Sequence, residues 1–204
     1  MKLYFTPGTC SFAPHLAIRE LGLDVELSRV RIGADPVVVA DGRDFRQINP
    51  LGYVPVLELD DGRVLTEGSA MLLHLADAHP EGGLAPPAGT AERDELHRWL
   101  VFIGTELHKT FSPWLFHPEY GEQAAQVARE RLFKRLAVVE RHLEGRQYLL
   151  GERFGIADAY LFTVVDWVRP LKIALDDYPN IAAYLERVRA RPAVAEALRR
   201  EKTP

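Results

Sequence analysis

Apolar and polar positions change period part-way along this chain, and the change divides it. In the first 80 residues, short every-other-residue stretches predict strands, and 3.6-residue rhythms predict helices between them. Residues 2–6 read as a strand ended by Pro7-Gly8-Thr9. Residues 11–21 carry Ala13, Leu16, Ala17 and Leu21 at helical spacing, and Gly22 stops that helix. Residues 25–32 alternate again through Val25, Leu27, Val30 and Ile32, so they predict a second strand. Val37-Val38-Val39 is strongly apolar, but Gly33, Pro36 and Gly42 bracket it, so turns and one short helix are expected over 33–50. Residues 54–59 and 63–65 flank Asp61-Gly62, a hairpin signal, and residues 69–78 return to a helical rhythm.

The order is βαβ, an irregular helical stretch, then ββα. A parallel pair needs a crossover and an antiparallel pair needs only a turn. Together they predict an α/β, thioredoxin-like unit with a four-stranded mixed sheet. Residues 79–89 hold three prolines and three glycines, which mark a linker. Beyond it the chain reads as helices. Thr90 is placed to cap a helix over 91–109. Residues 122–144 bring Val127, Leu132, Leu136, Val139 and Leu143 near one face. Residues 157–174 are apolar almost all round, as in a buried central helix. Residues 179–189 and 192–200 each open on a proline, where its missing N–H costs nothing. The expected organisation is a sheet-containing domain over 1–80, a linker over 81–89 and an all-helical domain over 90–204.

Composition narrows the function. The formal net charge of -4 gives no reason to expect nucleic acid or an anionic membrane as a partner. No apolar run approaches the roughly 18 residues of a membrane span, and the first residues lack the pattern of a signal peptide. A cytoplasmic protein is expected. The seven histidines are scattered without metal-ligand spacing, so no metal is expected.

The single cysteine, Cys10, excludes an internal disulfide. It stands after the first strand and beside Ser11, at the start of the first helix. Unpaired N–H groups and the positive end of the helix dipole favour an anion there, so the thiolate is favoured over the thiol. Ala13 occupies the place of a second cysteine in a C-x-x-C pair, so any thiol exchange must borrow a thiol from another molecule. Pro55 opens a strand after Gly52-Tyr53-Val54, and Leu65-Thr66-Glu67-Gly68-Ser69 leads into another helix N-terminus, which suits an anion. His108 lies at helical spacing from Val101 and Thr105. A neutral imidazole there can accept a thiol proton, and an imidazolium can stabilise a thiolate.

The segments Pro7-Gly8-Thr9-Cys10-Ser11, Asn49-Pro50-Leu51-Gly52-Tyr53-Val54-Pro55, Leu65-Thr66-Glu67-Gly68, Thr105-Glu106-Leu107-His108-Lys109 and Phe154-Gly155-Ile156-Ala157-Asp158-Ala159 together resemble a bacterial beta-class glutathione transferase. The resemblance covers the whole chain in order. It implies a homodimer of thioredoxin-like plus helical subunits, and transfer of the glutathione thiolate to a small hydrophobic electrophile. It also implies that glutathione is bound by Cys10, Val54, Glu67, Gly68, Thr105, Glu106, Leu107 and His108, with Cys10 and His108 catalytic. In other classes of the family a tyrosine or a serine near the first strand serves the thiolate, so Cys10, Tyr4 and Ser11 all stand as stabilisers. Trp99, Trp114 and Phe116 are candidates to line the apolar pocket. Two other functions fit the same features: a glutathione-dependent thiol reductase acting through Cys10, and a non-catalytic protein that binds hydrophobic compounds. Three positions depart from the family pattern. No lysine follows the second strand, where Gly33-Ala34-Asp35-Pro36 stands. Val101 replaces an asparagine, and Gly155 replaces the Ser or Thr of a capping box.

Overall fold

The computed structural model describes residues 1–33, 37–39 and 41–202. The chain forms two compact units: Met1–Leu84 together with the last helix, and Ala85–Ala190. In the first unit the sheet has the order β3-β2-β1-β4-β5, built from β1 (Lys2–Phe5), β2 (Glu26–Arg31), β3 (Val38–Val39), β4 (Val56–Glu58) and β5 (Val64–Leu65). The strands β1 and β2 run parallel, joined by α1 (Phe12–Glu20). The strands β4 and β5 are antiparallel and turn at Gly62, whose φ of 84° is open to glycine at no steric cost. The helix α2 (Gly68–Ala78) follows.

The sheet has five strands where four are expected. The extra one is Val38–Val39, which pairs antiparallel with β2 through Val30↔Val39 and Arg31↔Val38. Two β-branched residues form the edge, and the glycines and proline around them mask so short a strand. The expected short helix is the 3₁₀ turn Phe45–Gln47. Its cap, Asp44, accepts the N–H of Arg46 at 2.9 Å.

The helical unit holds α3 (Ala91–Phe102), a π turn (Ile103–His108), α4 (Lys109–Phe111), α5 (Glu122–His142), α6 (Ile156–Val165) and α7 (Pro179–Arg189). Every residue of α6 is buried, which agrees with its apolar circumference. This helix is shorter than the predicted 157–174. A 3₁₀ turn, Asp166–Val168, follows it, and Pro170 disfavours helix in the residue before it. On α5, Leu132, Leu136 and Val139 are buried, but Val127 is 59 % exposed and lies off the core face. Arg93 is not on the solvated helix start that its charged neighbours suggest: it is buried, and its guanidinium donates to the Pro86 carbonyl at 3.0 Å.

The last helix, α8 (Pro192–Lys202), belongs with the sheet and not with the helices that precede it. Its apolar side chains Val194 and Ala197 are fully buried, and the helix packs on α1. At its start Arg191 grips Glu20 of α1 with two hydrogen bonds of 2.6 and 2.8 Å. Periodicity shows that such a helix has an apolar face, but not which neighbour covers it.

In the helical unit, Asp158 performs the service expected of a capping residue and more. One oxygen accepts the Gly155 N–H at 3.0 Å. The other accepts the Leu149 N–H at 2.9 Å and the Tyr184 hydroxyl at 3.2 Å. Burial, and then the Asp158 charge, push the Tyr184 phenol well up, so it stays protonated and donates. Replacing Asp158 by alanine strands two buried donors, the Leu149 and Gly155 N–H groups, while the Tyr184 hydroxyl keeps the Asp158 carbonyl at 3.1 Å. The expected loss is about 2 kcal/mol or more of unfolding free energy, from about 1–3 kcal/mol for each unsatisfied buried group. Urea denaturation of Asp158→Ala checks this, and a variant within about 1 kcal/mol of wild type would show that the cap is dispensable.

Candidate functional site

The thiol lies in a loop that is pinned from within. Thr6 anchors it to β2, its hydroxyl donating to the Val30 carbonyl at 2.7 Å. The Ser11 hydroxyl accepts the Thr6 N–H at 3.1 Å and donates to the Thr6 carbonyl at 3.0 Å. Thr9 Oγ1 adds a bond to the Thr6 carbonyl at 2.8 Å. From α8, Glu201 accepts the Gly8 N–H at 3.2 Å on one carboxylate oxygen, and its other oxygen lies 3.3 Å from His15 Nδ1. His15 is fully buried beside Phe5 and Phe12. So held, the loop leaves Cys10 partly exposed at the start of α1. Its thiol donates to the Val54 carbonyl at 3.3 Å.

Val54 is presented by a second shaped loop. The buried Asn49 side chain donates to the Tyr53 carbonyl at 2.7 Å and accepts the Leu51 N–H at 3.3 Å. The Val54–Pro55 bond is cis. The third element, Glu67, immediately precedes α2 with φ 65° and ψ 112°. A positive φ outside glycine costs on the order of 1–3 kcal/mol and gathers at functional sites. The Glu67 side chain makes no cap bond to α2, whose first turn carries no acid, so the backbone N–H groups there suit an anionic group.

Two other candidates for the thiolate, Tyr4 and Ser11, have hydrogen-bond partners within the protein. Tyr4 is only 1 % exposed, its hydroxyl donates to Glu58 at 2.8 Å, and its ring packs with Phe45 and Val56. Burial, then the bond to Glu58, push its phenol up. Ser11 is fully buried, and its hydroxyl is spent on Thr6. Both hydroxyls are bonded to the protein's own framework.

In the helical unit, the four residues that the resemblance groups, Thr105 to His108, have separate surroundings. The π turn closes its ring one residue later than an α-helix and so re-aims the side chains after it. Thr105 is exposed and donates to the Val101 carbonyl at 2.9 Å. Glu106 is held by Arg135 at 2.7 Å and Arg131 at 3.3 Å, and the hydrogen bond from Arg135 is the main reason its carboxyl lies below the usual range. Leu107 is fully buried, so its side chain serves the core. His108 alone lies among groups suited to chemistry. Its Nδ1 is 2.8 Å from the Tyr160 hydroxyl, and its ring meets Trp167 at 5.1 Å. Burial, and secondarily the Lys109 charge, push its pKa down to about 4. That shift favours the uncharged imidazole at neutral pH.

Around Trp167 stand Phe111 and Phe116, and Phe116 and Trp114 are partly exposed. Trp99 is core, not pocket wall, with 1 % of its surface exposed. Residues 34–36, most of the stretch that lacks the lysine, lie outside the described residues. Val101, in the asparagine's place, is 62 % exposed. Among the described residues no cluster of His, Cys, Asp or Glu suits a metal ion, and no helix is long and apolar enough to cross a membrane. Glu201 and His15 were not singled out by sequence reasoning as parts of the thiol site. They lie 186 residues apart, and no local motif links them.

Two family descriptions match this chain: "Glutathione S-transferase, N-terminal domain" over residues 9–78 and "Glutathione S-transferase, C-terminal domain" over residues 102–192. Glutathione S-transferase GstA of Escherichia coli O157:H7 is 42% identical over 201 residues, which cover 98% of either chain. A solved glutathione transferase from Methylococcus capsulatus str. Bath is 52% identical, with a TM-score of 0.94 and 98% of each chain covered. A sphingomonad glutathione S-transferase solved in complex with glutathione is 41% identical, with a TM-score of 0.93 over 100% of both chains.

The depressed His108 sets a pH signature. The folded-state pKa of about 4 lies below the ordinary 6.5, so the unfolded chain takes the proton first as pH falls. His108 therefore costs stability progressively from about pH 6.5 down to about pH 4, by about 3 kcal/mol in all at 1.36 kcal/mol per pKa unit. Unfolding free energies of wild type and His108→Gln, measured across that window, are expected to diverge by this amount at the wild type's expense. A constant difference would place His108 in a solvated setting.

Proposed function

The chain belongs to the glutathione S-transferase family, and on that premise we propose that it binds reduced glutathione and conjugates its thiolate to small hydrophobic electrophiles. One observation carries the reading to particular residues: the Cys10 thiol at the start of α1 meets the Val54 carbonyl at 3.3 Å. A peptide-like ligand that pairs with the Val54 backbone brings its own sulfur beside Cys10. The carboxylate of the γ-glutamyl end takes the N–H groups at Glu67 and Gly68, where the helix dipole favours negative charge. Cys10 and His108 are the catalytic residues of this reading. Thr105, Glu106 and Leu107 are its weaker members, since their side chains have other partners or none toward a ligand. The exposed aromatics Trp114 and Phe116 suit a hydrophobic second substrate. The protein works as a cytoplasmic homodimer and needs no metal.

Catalysis comes from holding two reactants together and from an anionic sulfur. Cys10 also supports thiol–disulfide exchange. Its thiolate attacks one sulfur of glutathione disulfide, a Cys10–glutathione bond forms, and the second glutathione leaves as thiolate with the electron pair. Aryl-halide conjugation and mixed-disulfide reduction, assayed side by side, test the assignment. Cys10→Ala is expected to lose disulfide reduction entirely and to lower conjugation by about tenfold or more, the value of one hydrogen bond to a charged group. Wild type incubated with glutathione disulfide is expected to gain one glutathione by intact mass, and Cys10→Ala none. Full activity of Cys10→Ala in both assays would remove the cysteine from the mechanism. A wild type that shows neither activity would favour a binding protein.

A further inference from the structure

The π turn Ile103–His108 ends on a histidine set between two aromatic rings. Tyr160 stands edge-on at 5.9 Å and 89°, and Trp167 at 5.1 Å and 66°. Tyr160 is itself buried, on the fully buried α6. Its hydroxyl is 2.8 Å from His108 Nδ1. A neutral imidazole has one nitrogen that donates and one that accepts. A phenol is a stronger donor than an imidazole N–H, and the bare imidazole nitrogen is a stronger acceptor than a phenol oxygen. The better match has Tyr160 donating to Nδ1. The bond at one ring nitrogen then decides the state of the other. Burial keeps the ring neutral at physiological pH, so its one proton sits on Nε2.

We propose that Tyr160 is a positioning residue that fixes His108 as the neutral Nε2–H tautomer, and that His108 therefore serves as a hydrogen-bond donor to anionic charge and not as a proton acceptor. The inference rests on the transferase reading for its catalytic half. In that reaction the sulfur lone pair forms the bond to carbon, and an electron pair is displaced onto the electrophile or departs with its leaving group. A fixed donor aimed at that developing charge stabilises the transition state more than the ground state. The Nε2 proton stays on its nitrogen throughout, so no acceptor for it is needed. The buried Trp167, with Phe116 packed on it, is the apolar setting in which such a bond gains strength.

Two measurements test this separately. Long-range proton–nitrogen spectra of histidine-labelled protein near pH 7 are expected to show His108 Nδ1 as a bare, hydrogen-bonded nitrogen and Nε2 as protonated. In Tyr160→Phe both shifts are expected to move toward the average of two exchanging tautomers. Conjugation kinetics supply the second readout. Tyr160→Phe is expected to lower kcat about tenfold, the value of about one lost hydrogen bond, with little change in the KM for glutathione. His108→Gln has a carboxamide that donates but takes no proton. It is expected to stay within about tenfold of wild type, while His108→Ala falls about a hundredfold. A protonated Nδ1 in wild type, an unmoved tautomer in Tyr160→Phe, or a His108→Gln no better than His108→Ala would each overturn the proposal. The spectra require no turnover. A protein that conjugates nothing therefore defeats the transferase reading through the kinetics, while the tautomer is decided on its own.

Discussion

The hydroxyl of Ser11 is the constraint on which the thiol site depends. It is fully buried, and it takes the Thr6 N–H while giving its own proton to the Thr6 carbonyl. That pair of bonds closes the loop between β1 and α1 into a fixed shape. Thr6 ties the shape to β2, and Glu201 holds it from α8 through the Gly8 N–H. Only a loop fixed on both sides can place Cys10 at a helix start and aim its sulfur at one carbonyl on a neighbouring loop. The serine that is a candidate for chemistry is thus also a structural member of the loop.

The same economy of buried polar groups runs through the helical unit. Asp158 accepts three hydrogen bonds from three places in the chain. Glu140 accepts the N–H groups of Asn180 and Ile181 at the start of α7, both at 2.9 Å. These are helix N-termini satisfied by carboxylates, which is what the orphan donors and the dipole both favour. At the start of α2, Glu67 stands in a strained backbone, its side chain makes no cap bond, and the first turn carries no acid.

Much of this was legible in the chain. Alternation over 25–32, the Asp61-Gly62 turn and the prolines at 179 and 192 place their elements within a residue or two, because strand period, turn geometry and the proline ring are local properties. The special position of Cys10 also follows from local order. Other features depend on partners far away in sequence. Val38–Val39 becomes a strand only by pairing with β2. The helix α8 joins the sheet unit because α1 covers its apolar face. The Tyr4 hydroxyl finds its partner in Glu58, 54 residues away. Thr105, Glu106, Leu107 and His108 sit side by side in sequence, but the π turn gives them four different surroundings, and no periodicity announces such a turn.

The proposed catalytic groups are a sulfur whose loop is fixed by hydrogen bonds, and a histidine held by a phenol and an indole edge. The most direct test of the sulfur site is a titration with S-methylglutathione, whose blocked thiol binds without reacting, followed through the backbone amide signals. The structure implies that the amides of Val54 and Gly68 shift together and saturate, with Cys10 beside them. Saturable binding that leaves both amides unmoved would contradict the site as placed here.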